Sequence, residues 1–180
     1  MNNVLVIGAG GAGCSFGEKI AQSTQQEMLV VSTCREAPNS DDASYQIFLD
    51  MDGQPRTLKV LSQLLEKERN TLDGVLKGKE KVLICAGLGG FTGTNSVLLL
   101  ATMLKNKGLS VTAAVTLPMG FESQERKELA DQSLVQLKNL TDSVFVHDHA
   151  KSLTKPNNGA MSITDYFQQV AEQFVTKIFP

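Results

Sequence analysis

The sequence predicts an α/β fold: a three-layer, Rossmann-like, mostly parallel sheet with helices on both faces. Short apolar runs typical of buried strands alternate along the chain with longer segments whose apolar residues recur at three- and four-residue steps. Such alternation is typical of a parallel sheet covered on both faces. Two glycine-rich stretches each follow a strand-like run. The chain has 180 residues, enough for a substantial core, so we expect one domain over residues 1–180.

The first half of the chain contains three predicted strands and two helical regions. The apolar run from Val4 to Ile7 stops at glycines, as a buried strand does at a tight turn. The elements that follow are a helix at 14–23, a strand at 27–33, an edge strand at 44–50 and a helical region at 57–78. The last of these carries leucines and valines at helical spacing.

The second half continues the alternation. Its predicted elements are a strand at 81–87, a helix at 96–108, a strand at 110–118, a helix at 123–140 and a strand at 142–148. Gly108 is the expected stop of the first of these helices. After the loop 154–162, a last helix runs from Ile163 to about Phe179.

Composition and charge narrow the possible partners. The formal net charge is -2, which gives no reason to expect nucleic acid or an anionic membrane as a partner. No apolar run approaches the roughly 20 residues of a spanning helix, and the glycine-rich N-terminus is unlike a signal peptide. Cys14, Cys34 and Cys85 lie in or beside apolar runs. We therefore expect a cytoplasmic protein with reduced, mostly buried thiols.

Both glycine-rich stretches, "GAGGAG" from Gly8 and "GLGGFTGTN" from Gly87, fall at strand-to-helix turns. In a parallel sheet, ligands bind beyond the carboxyl ends of the strands, so both turns face one crevice. Free backbone N–H groups and the positive end of a helix favour phosphate at each turn. The alternative is that the glycines only permit tight packing of helix against strand.

The first stretch also fits a dinucleotide fingerprint. Gly8, Gly10 and Gly13 match G-x-G-x-x-G after a first strand. That fingerprint needs an acidic residue after the second strand to hold a ribose, and only Glu36 could serve. The second stretch lacks G-x-x-x-x-G-K-[ST], which excludes a P-loop.

"GLGGFTGTN" resembles the signature G-G-G-T-G-[ST]-G of the tubulin/FtsZ superfamily, with Phe91 and Asn95 in place of glycines. "VIGAGGAGCS" is similar to the first phosphate loop of FtsZ. The stretch from Val115 to Val146 resembles the segment from the Pro-Phe loop of FtsZ through the next helix and strand. "SITDYFQQVAEQF" resembles the start of the central helix. The similarity covers nearly all of this chain and the N-terminal half of an FtsZ.

The resemblance implies a guanine nucleotide, GTP or GDP, which a Mg²⁺ ion could accompany. It implies that main-chain amides hold the phosphates, that hydroxyls assist, that a glutamate contacts the ribose, and that an aromatic ring stacks on guanine. The amides are those of Gly10, Gly11, Gly13, Gly89, Gly90, Gly93 and their neighbours, and the hydroxyls are those of Thr92 and Thr94. The ribose contact is Glu122, with Arg126 near the nucleotide. Phe167 is the stacking ring, and Glu172 stands for the aspartate that binds the guanine edge.

Four departures from the family pattern bear most directly on nucleotide binding. Ser15 occupies the position of an asparagine near the base, and Cys34 that of an aspartate after the second strand. The γ-phosphate loop G-A-G-A-N-P is replaced by "GQPRT", residues 53–57, whose Arg56 could pair with phosphate as a charge. The ring of Phe91 stands where the backbone would approach phosphate.

The resemblance also bears on hydrolysis. FtsZ-type hydrolysis resembles a shared-site mechanism, in which an acidic loop after the central helix of one subunit acts on the nucleotide of the next. The chain ends at Pro180, where that loop would begin. In the last helix, Ile163, Phe167, Val170, Phe174 and Ile178 form one apolar stripe backed by glutamines, which favours a natural one-domain protein. We expect little hydrolysis and no assigned catalytic residue.

Three functions remain open. The first is a single-domain FtsZ relative that binds a guanine nucleotide and acts as a regulator, an adaptor or an assembly component, with itself or an FtsZ-like protein as partner. The second is an NAD(P)-binding oxidoreductase, and the third is an interaction module without a ligand. His147 and His149 could face one side of a strand as metal ligands do, but a surface strand-to-loop junction is the preferred interpretation and no metal is predicted.

Overall fold

The computed structural model describes residues 4–34, 44–152 and 162–179, which form a six-stranded sheet with helices on both faces. The strands are β1 (Val4–Ala9), β2 (Met28–Ser32), β3 (Tyr45–Phe48), β4 (Lys81–Gly87), β5 (Ser110–Leu117) and β6 (Ser143–Asp148). Their order across the sheet is β3-β2-β1-β4-β5-β6, and every neighbouring pair is parallel. This order is that of a dinucleotide-type Rossmann sheet, with its switch point between β1 and β4.

The helices are α1 (Gly10–Thr24), α2 (Leu58–Lys67), α3 (Arg69–Leu76), α4 (Phe91–Asn106), α5 (Gln124–Leu140), α6 (His149–Ser152) and α7 (Ile163–Ile178). They cover the sheet unequally. The helices α2 to α5 share one core with the strand residues Leu5 and Ile7, whereas α1 and α7 share the other core with Val4 and Val6. The two cores therefore take alternate residues of β1, as the pleat requires. The predicted three-layer α/β fold is confirmed.

Two helices begin earlier than the sequence predicts. The helix α1 starts at Gly10 and not at Cys14, and α4 starts at Phe91 and not at Ser96. Glycine is a poor helix former in isolation, so propensity places both starts too late. In the structure α1 starts directly after β1, and α4 starts after a three-residue turn, 88–90, that follows β4. Glycines of both stretches therefore lie within the first turns of the helices.

The last helix, α7, differs from its predicted stripe at one end. Val170 and Phe174 are buried, and the ring of Phe174 lies 5.4 Å from that of Phe16 in α1. Ile163, however, is 78% exposed. Burial of a side chain of this size is worth about 1.5–3 kcal/mol, so the middle of the helix holds α7 on the sheet. The expectation that Ile163 belongs to the buried stripe is wrong, because the first turn of α7 extends past the core.

Candidate functional site

The two glycine-rich turns meet at the carboxyl edge of the sheet. Gly10 has φ +71, and a Cβ built on it would lie 2.9 Å from the backbone nitrogen of Gly93. A Cβ on Gly93 would in turn lie 2.5 Å from the carbonyl oxygen of Gly87. Neither position has room for a side chain, so glycine is required for the starts of α1 and α4 to approach this closely. The predicted convergence of the two turns is confirmed by this contact.

The helices α1 and α4 present uncapped N-termini at this edge. Thr57, Ser123 and Ser162 accept hydrogen bonds from backbone N–H groups at the starts of α2, α5 and α7. The starts of α1 and α4, at Gly10 and Phe91, have no capping side chain. The first N–H groups of a helix have no intrahelical partner, and the macrodipole adds about half a positive charge. Two such termini side by side favour an anion.

A cleft of about 310 Å³ lies at this edge. This volume is at the lower end of the range of about 300–1,000 Å³ for small-molecule sites. The cleft lies along the carboxyl edge of the sheet, and its lining comes from the strand ends and the segments that follow them. The lining residues are Arg56 in the segment after β3, 9–12 from the end of β1 into α1, 87–88 and 90–93 from the end of β4 into α4, 116–119 at the end of β5, Glu122, Arg126, His149 after β6 and Phe167 of α7.

Eight of the thirteen predicted site residues line the cleft. They are Gly10, Gly11, Gly90, Thr92, Gly93, Glu122, Arg126 and Phe167. The five that do not are Gly13, Ser15, Gly89, Thr94 and Glu172. Arg56 and Phe91, which the sequence marked as departures from the family pattern, line it as well.

Gly13 and Thr94 serve the architecture of the site. A Cβ on Gly13 would lie 2.8 Å from Cα of Ala86 and closer still to the carbonyl oxygen of Cys85, so Gly13 permits α1 to pack on β4. The hydroxyl of Thr94 is fully buried and accepts a 2.8 Å hydrogen bond from the N–H of Gly89. That bond holds the turn before α4, at a net stabilisation of about 1 kcal/mol. The Thr94 hydroxyl is thus committed to the protein itself.

Ser15 and Glu172 point to local partners. The Ser15 hydroxyl donates a 3.0 Å hydrogen bond to the carbonyl oxygen of Gly11, one helical turn earlier. Glu172 is exposed, and its Oε1 accepts from Nε2 of Gln168 at 3.0 Å. The structure therefore places neither side chain in the cleft, although both belong to helices that contribute to it.

Glu122 and Arg126 form a linked pair on the β5 side of the cleft. Glu122 accepts a 2.7 Å hydrogen bond from the N–H of Met119 and pairs with Nη1 of Arg126 at 2.8 Å. Nε of Arg126 also donates to the carbonyl oxygen of Gly89 at 3.2 Å. Both groups are thereby positioned, and their charges largely compensate each other within the cleft.

Phe91 and Arg56 form a second pair. The first residue of α4 is Phe91, whose ring packs partly against the core. The Cζ atom of Arg56 lies 5.2 Å from the centroid of that ring, which is cation–π geometry. Beside them, the hydroxyls of Thr92 and Thr33 are 2.9 Å apart. The ring lines the cleft and does not fill it.

A buried polar cluster borders the cleft, and the sequence interpretation of His147 and His149 as a surface junction is wrong. Their relative exposures are 7% and 5%. The Tyr166 hydroxyl lies 3.2 Å from Nε2 of His147, 2.5 Å from Nδ1 of His149 and 3.1 Å from the Ser152 hydroxyl. The tyrosine comes from α7, whose docking over β6 and α6 buries both rings. No periodic pattern in the sequence indicates a contact between such distant segments.

Burial sets the protonation of the two histidines. Desolvation, reinforced by His147 nearby, lowers the pKa of His149 to about 4. Desolvation also lowers the pKa of His147, against a hydrogen bond to Gln173 that raises it. Both rings are neutral at pH 7. Within the described residues, no group of three His, Cys, Asp or Glu side chains is arranged to hold a metal ion.

These features define an α/β domain of the Rossmann-like type, with two glycine-rich helix starts at the switch point of the sheet. The chain belongs to the tubulin/FtsZ family: the profile of its GTPase domain matches residues 57–155, more than half of the chain. The expected resemblance is confirmed.

Curated relatives are similar over nearly the whole chain. The cell division protein FtsZ of Buchnera aphidicola subsp. Acyrthosiphon pisum is 27% identical over 175 residues, which are 92% of this chain and 45% of that protein. The cell division protein FtsZ 2 of Methanocaldococcus jannaschii is 28% identical over 184 residues, covering 97% of this chain and 47% of that protein. The chain thus spans about half of the length of these relatives.

Solved structures share the fold. An empty FtsZ dimer from M. jannaschii superposes with a TM-score of 0.77 at 23% identity, over 98% of this chain and 53% of that one. CetZ1 from Haloferax volcanii, a GDP-bound monomer, superposes with a TM-score of 0.74 at 18% identity, over 97% of this chain and 58% of that one. Among the helices of the described residues, none has the length and apolar character needed to cross a membrane.

Proposed function

We propose that this protein binds a guanine nucleotide, GTP or GDP, in the cleft at the starts of α1 and α4. The observation that carries the proposal is the approach of Gly10 to Gly93, which sets two uncapped helix N-termini side by side. Backbone N–H groups so arranged bind phosphate. The guanine base is inferred from membership of the family, in which CetZ1 is a GDP-bound structural neighbour.

In this proposal the phosphates lie against Gly10, Gly11, Gly90 and Gly93, with the Thr92 hydroxyl beside them. The β5, β6 and α7 end of the cleft, where Phe167 and Pro118 offer apolar surface, receives the base. Glu122 faces the ribose. A Mg²⁺ ion accompanying the nucleotide would be held mainly by phosphate oxygens and water, as Mg²⁺ commonly is.

We further propose little autonomous hydrolysis. Phosphoryl transfer requires a group that positions the attacking water. Among the described residues that line the cleft, Glu122 is the single carboxylate, and it is already bonded to the N–H of Met119 and to Arg126. A role as regulator, adaptor or assembly component, a cytoplasmic location and a one-domain organisation remain predictions from the sequence.

An interaction module without a ligand is the second candidate. Two observations favour it: the Phe91 ring lines the cleft where the family signature has a glycine, and the Thr94 hydroxyl is hydrogen-bonded to the Gly89 N–H. The dinucleotide oxidoreductase is supported by Gly8, Gly10 and Gly13 alone, and Glu36, its candidate ribose acid, lies outside the described residues.

Isothermal titration with GDP, GTP, ATP and NAD tests the proposal. We expect heat with both guanine nucleotides and weaker or no heat with ATP and NAD. If neither GDP nor GTP gives heat, the proposal is eliminated and the interaction module is favoured. Preferential binding of NAD would favour the dinucleotide hypothesis.

Gly11 offers a matched pair of variants for the same titration. A Cβ at Gly11 has no heavy atom within 4 Å, and the residue lines the cleft. Gly11→Asp should fold normally, because an acidic residue suits the first turn of a helix. It should nevertheless weaken nucleotide binding more than tenfold, whereas the isosteric Gly11→Asn should weaken it much less, since Asn adds no charge. Equal affinities for the two variants would place the nucleotide elsewhere.

A further inference from the structure

Arg56 carries a charge in the cleft that no described residue compensates. Arg56 and Arg126 are the cationic side chains among the described lining residues. Arg126 forms an ion pair with Glu122 at 2.8 Å and donates a hydrogen bond to the carbonyl oxygen of Gly89. The positive charge of Arg126 is therefore largely compensated by the protein. Arg56 has no carboxylate partner within residues 4–34, 44–152 and 162–179. The guanidinium of Arg56 is therefore the positive charge in the described cleft lining that an anionic ligand could pair with.

The Phe91 ring holds this guanidinium at the start of α4. Arg56 is exposed, and an exposed arginine on a loop ordinarily loses considerable side-chain entropy when it binds. The ring, 5.2 Å from Cζ, provides a platform that restricts the side chain beforehand and leaves the N–H groups at the guanidinium edge available. Phe91, which replaces a glycine of the family signature, thereby has a specific role: it restricts the guanidinium of Arg56.

The strand order decides which part of a ligand Arg56 would meet. Along the carboxyl edge, Arg56 follows β3 at one side, the glycine turns follow β1 and β4 in the middle, and His149 and Phe167 stand at the β6 side. A nucleotide with its base at the aromatic side and its first phosphates at the glycine turns extends its phosphate chain toward β3. The last phosphate of a triphosphate is therefore the group that reaches Arg56.

We propose that Arg56, held over the ring of Phe91, binds the terminal phosphate of a nucleoside triphosphate and gives the protein a preference for triphosphates over diphosphates. This inference rests on the proposed nucleotide binding. A guanidinium can donate two parallel hydrogen bonds to a phosphate, which a single backbone amide cannot. The diphosphate ends short of Arg56 and gains only its long-range attraction.

Titrations of GTP and GDP into the wild type and three variants test the inference. Charge-assisted hydrogen bonds are worth enough that we expect Arg56→Gln to weaken GTP about tenfold or more and GDP less than threefold. Phe91→Leu keeps an apolar side chain but removes the platform, so it should reduce the preference for GTP in part. Lys59→Gln, at an exposed position on α2 that does not line the cleft, removes one positive charge and should leave both affinities within twofold.

The outcomes separate the two proposals. If the wild type binds both nucleotides and Arg56→Gln leaves the ratio of GTP to GDP affinity unchanged, the inference about Arg56 is overturned while nucleotide binding stands. This includes the case in which Arg56→Gln weakens GTP and GDP by the same factor, since an equal loss of affinity would reflect only the change in overall charge. If the wild type binds neither nucleotide, the proposed function itself fails.

Discussion

Replacing Gly13 with alanine tests whether this glycine holds the fold together, as the structure indicates, and not only a phosphate. Gly13 lies in the first turn of α1 and faces β4. The added methyl group would meet the Ala86 Cα at 2.8 Å and the carbonyl oxygen of Cys85 at a still shorter distance. Ordinary contacts of a Cβ lie at 3.4–4 Å. The clash is therefore with backbone, which no side-chain rotation relieves.

The expected magnitude follows from what would have to move. The strand β4 is hydrogen-bonded on both sides, to β1 and β5, so it cannot withdraw. Instead α1 must shift outward by more than half an ångström and loosen the buried contacts of Phe16 and Ile20. Overpacking costs about 1–3 kcal/mol and occasionally more, and we expect the upper end, about 3 kcal/mol. That is a large share of a total stability of about 5–15 kcal/mol.

Urea unfolding followed by circular dichroism measures this loss, with Gly11→Ala as the matched control. The control has the same change of residue in the same helical turn, but its Cβ has no neighbour within 4 Å. Because alanine is the better helix former, Gly11→Ala should be neutral or more stable by up to about 1 kcal/mol. If Gly13→Ala unfolds within 1 kcal/mol of the wild type, the reasoning about close packing is refuted.

Three further predictions concern titration and buried groups. The pKa of the His149 side chain is about 4 in the folded protein, against 6.5 ordinarily. Between these two values the unfolded chain binds a proton at His149 that the folded chain does not bind. The free energy of unfolding should therefore be highest above pH 6.5 and fall toward pH 4 by at most about 3 kcal/mol. Urea midpoints between pH 7.5 and 5 measure this fall, and a His149→Gln variant that keeps the same slope would contradict it. Tyr166→Phe removes the hydroxyl shared by three polar neighbours and should cost about 1–3 kcal/mol in the same unfolding assay, since buried polar groups lose their partner; an unchanged midpoint would show that they find others. Finally, a thiol reagent under native conditions should label the exposed Cys34 quickly and the buried Cys14 and Cys85 only after unfolding, and rapid labelling of all three would contradict the packing of α1 on β4.

The fold class could be predicted from the sequence because its signals are local. Strand-like runs such as Val4 to Ile7 and the helical periodicity that follows report the two layers without any knowledge of distant contacts. The meeting of the glycine turns was also predictable, since parallel strands bring their carboxyl ends to one edge. Where the prediction was off, at the starts of α1 and α4, the packing of glycine-rich backbone overrode intrinsic propensity.

The site itself was predictable only in part. Phe167 and Glu122 reach the cleft as the family resemblance implied, whereas Glu172 turns to Gln168 on the exposed side of α7. The pattern of a motif specifies a residue type and a spacing, but not which side-chain partner lies within reach. That choice depends on helix rotation, which the sequence around Glu172 does not report.

The sequence by itself determined the alternation of strands and helices, the two glycine turns and the family to which the chain belongs. Only the tertiary structure decided that Gly13 and Thr94 support the fold, that His149 is buried against Tyr166, and that Arg56 stands over Phe91. The physical reason is the distance along the chain over which each kind of interaction acts. Periodicity and turn chemistry act between neighbours in the chain, whereas contact, burial and charge compensation arise between segments that meet only when the sheet is assembled.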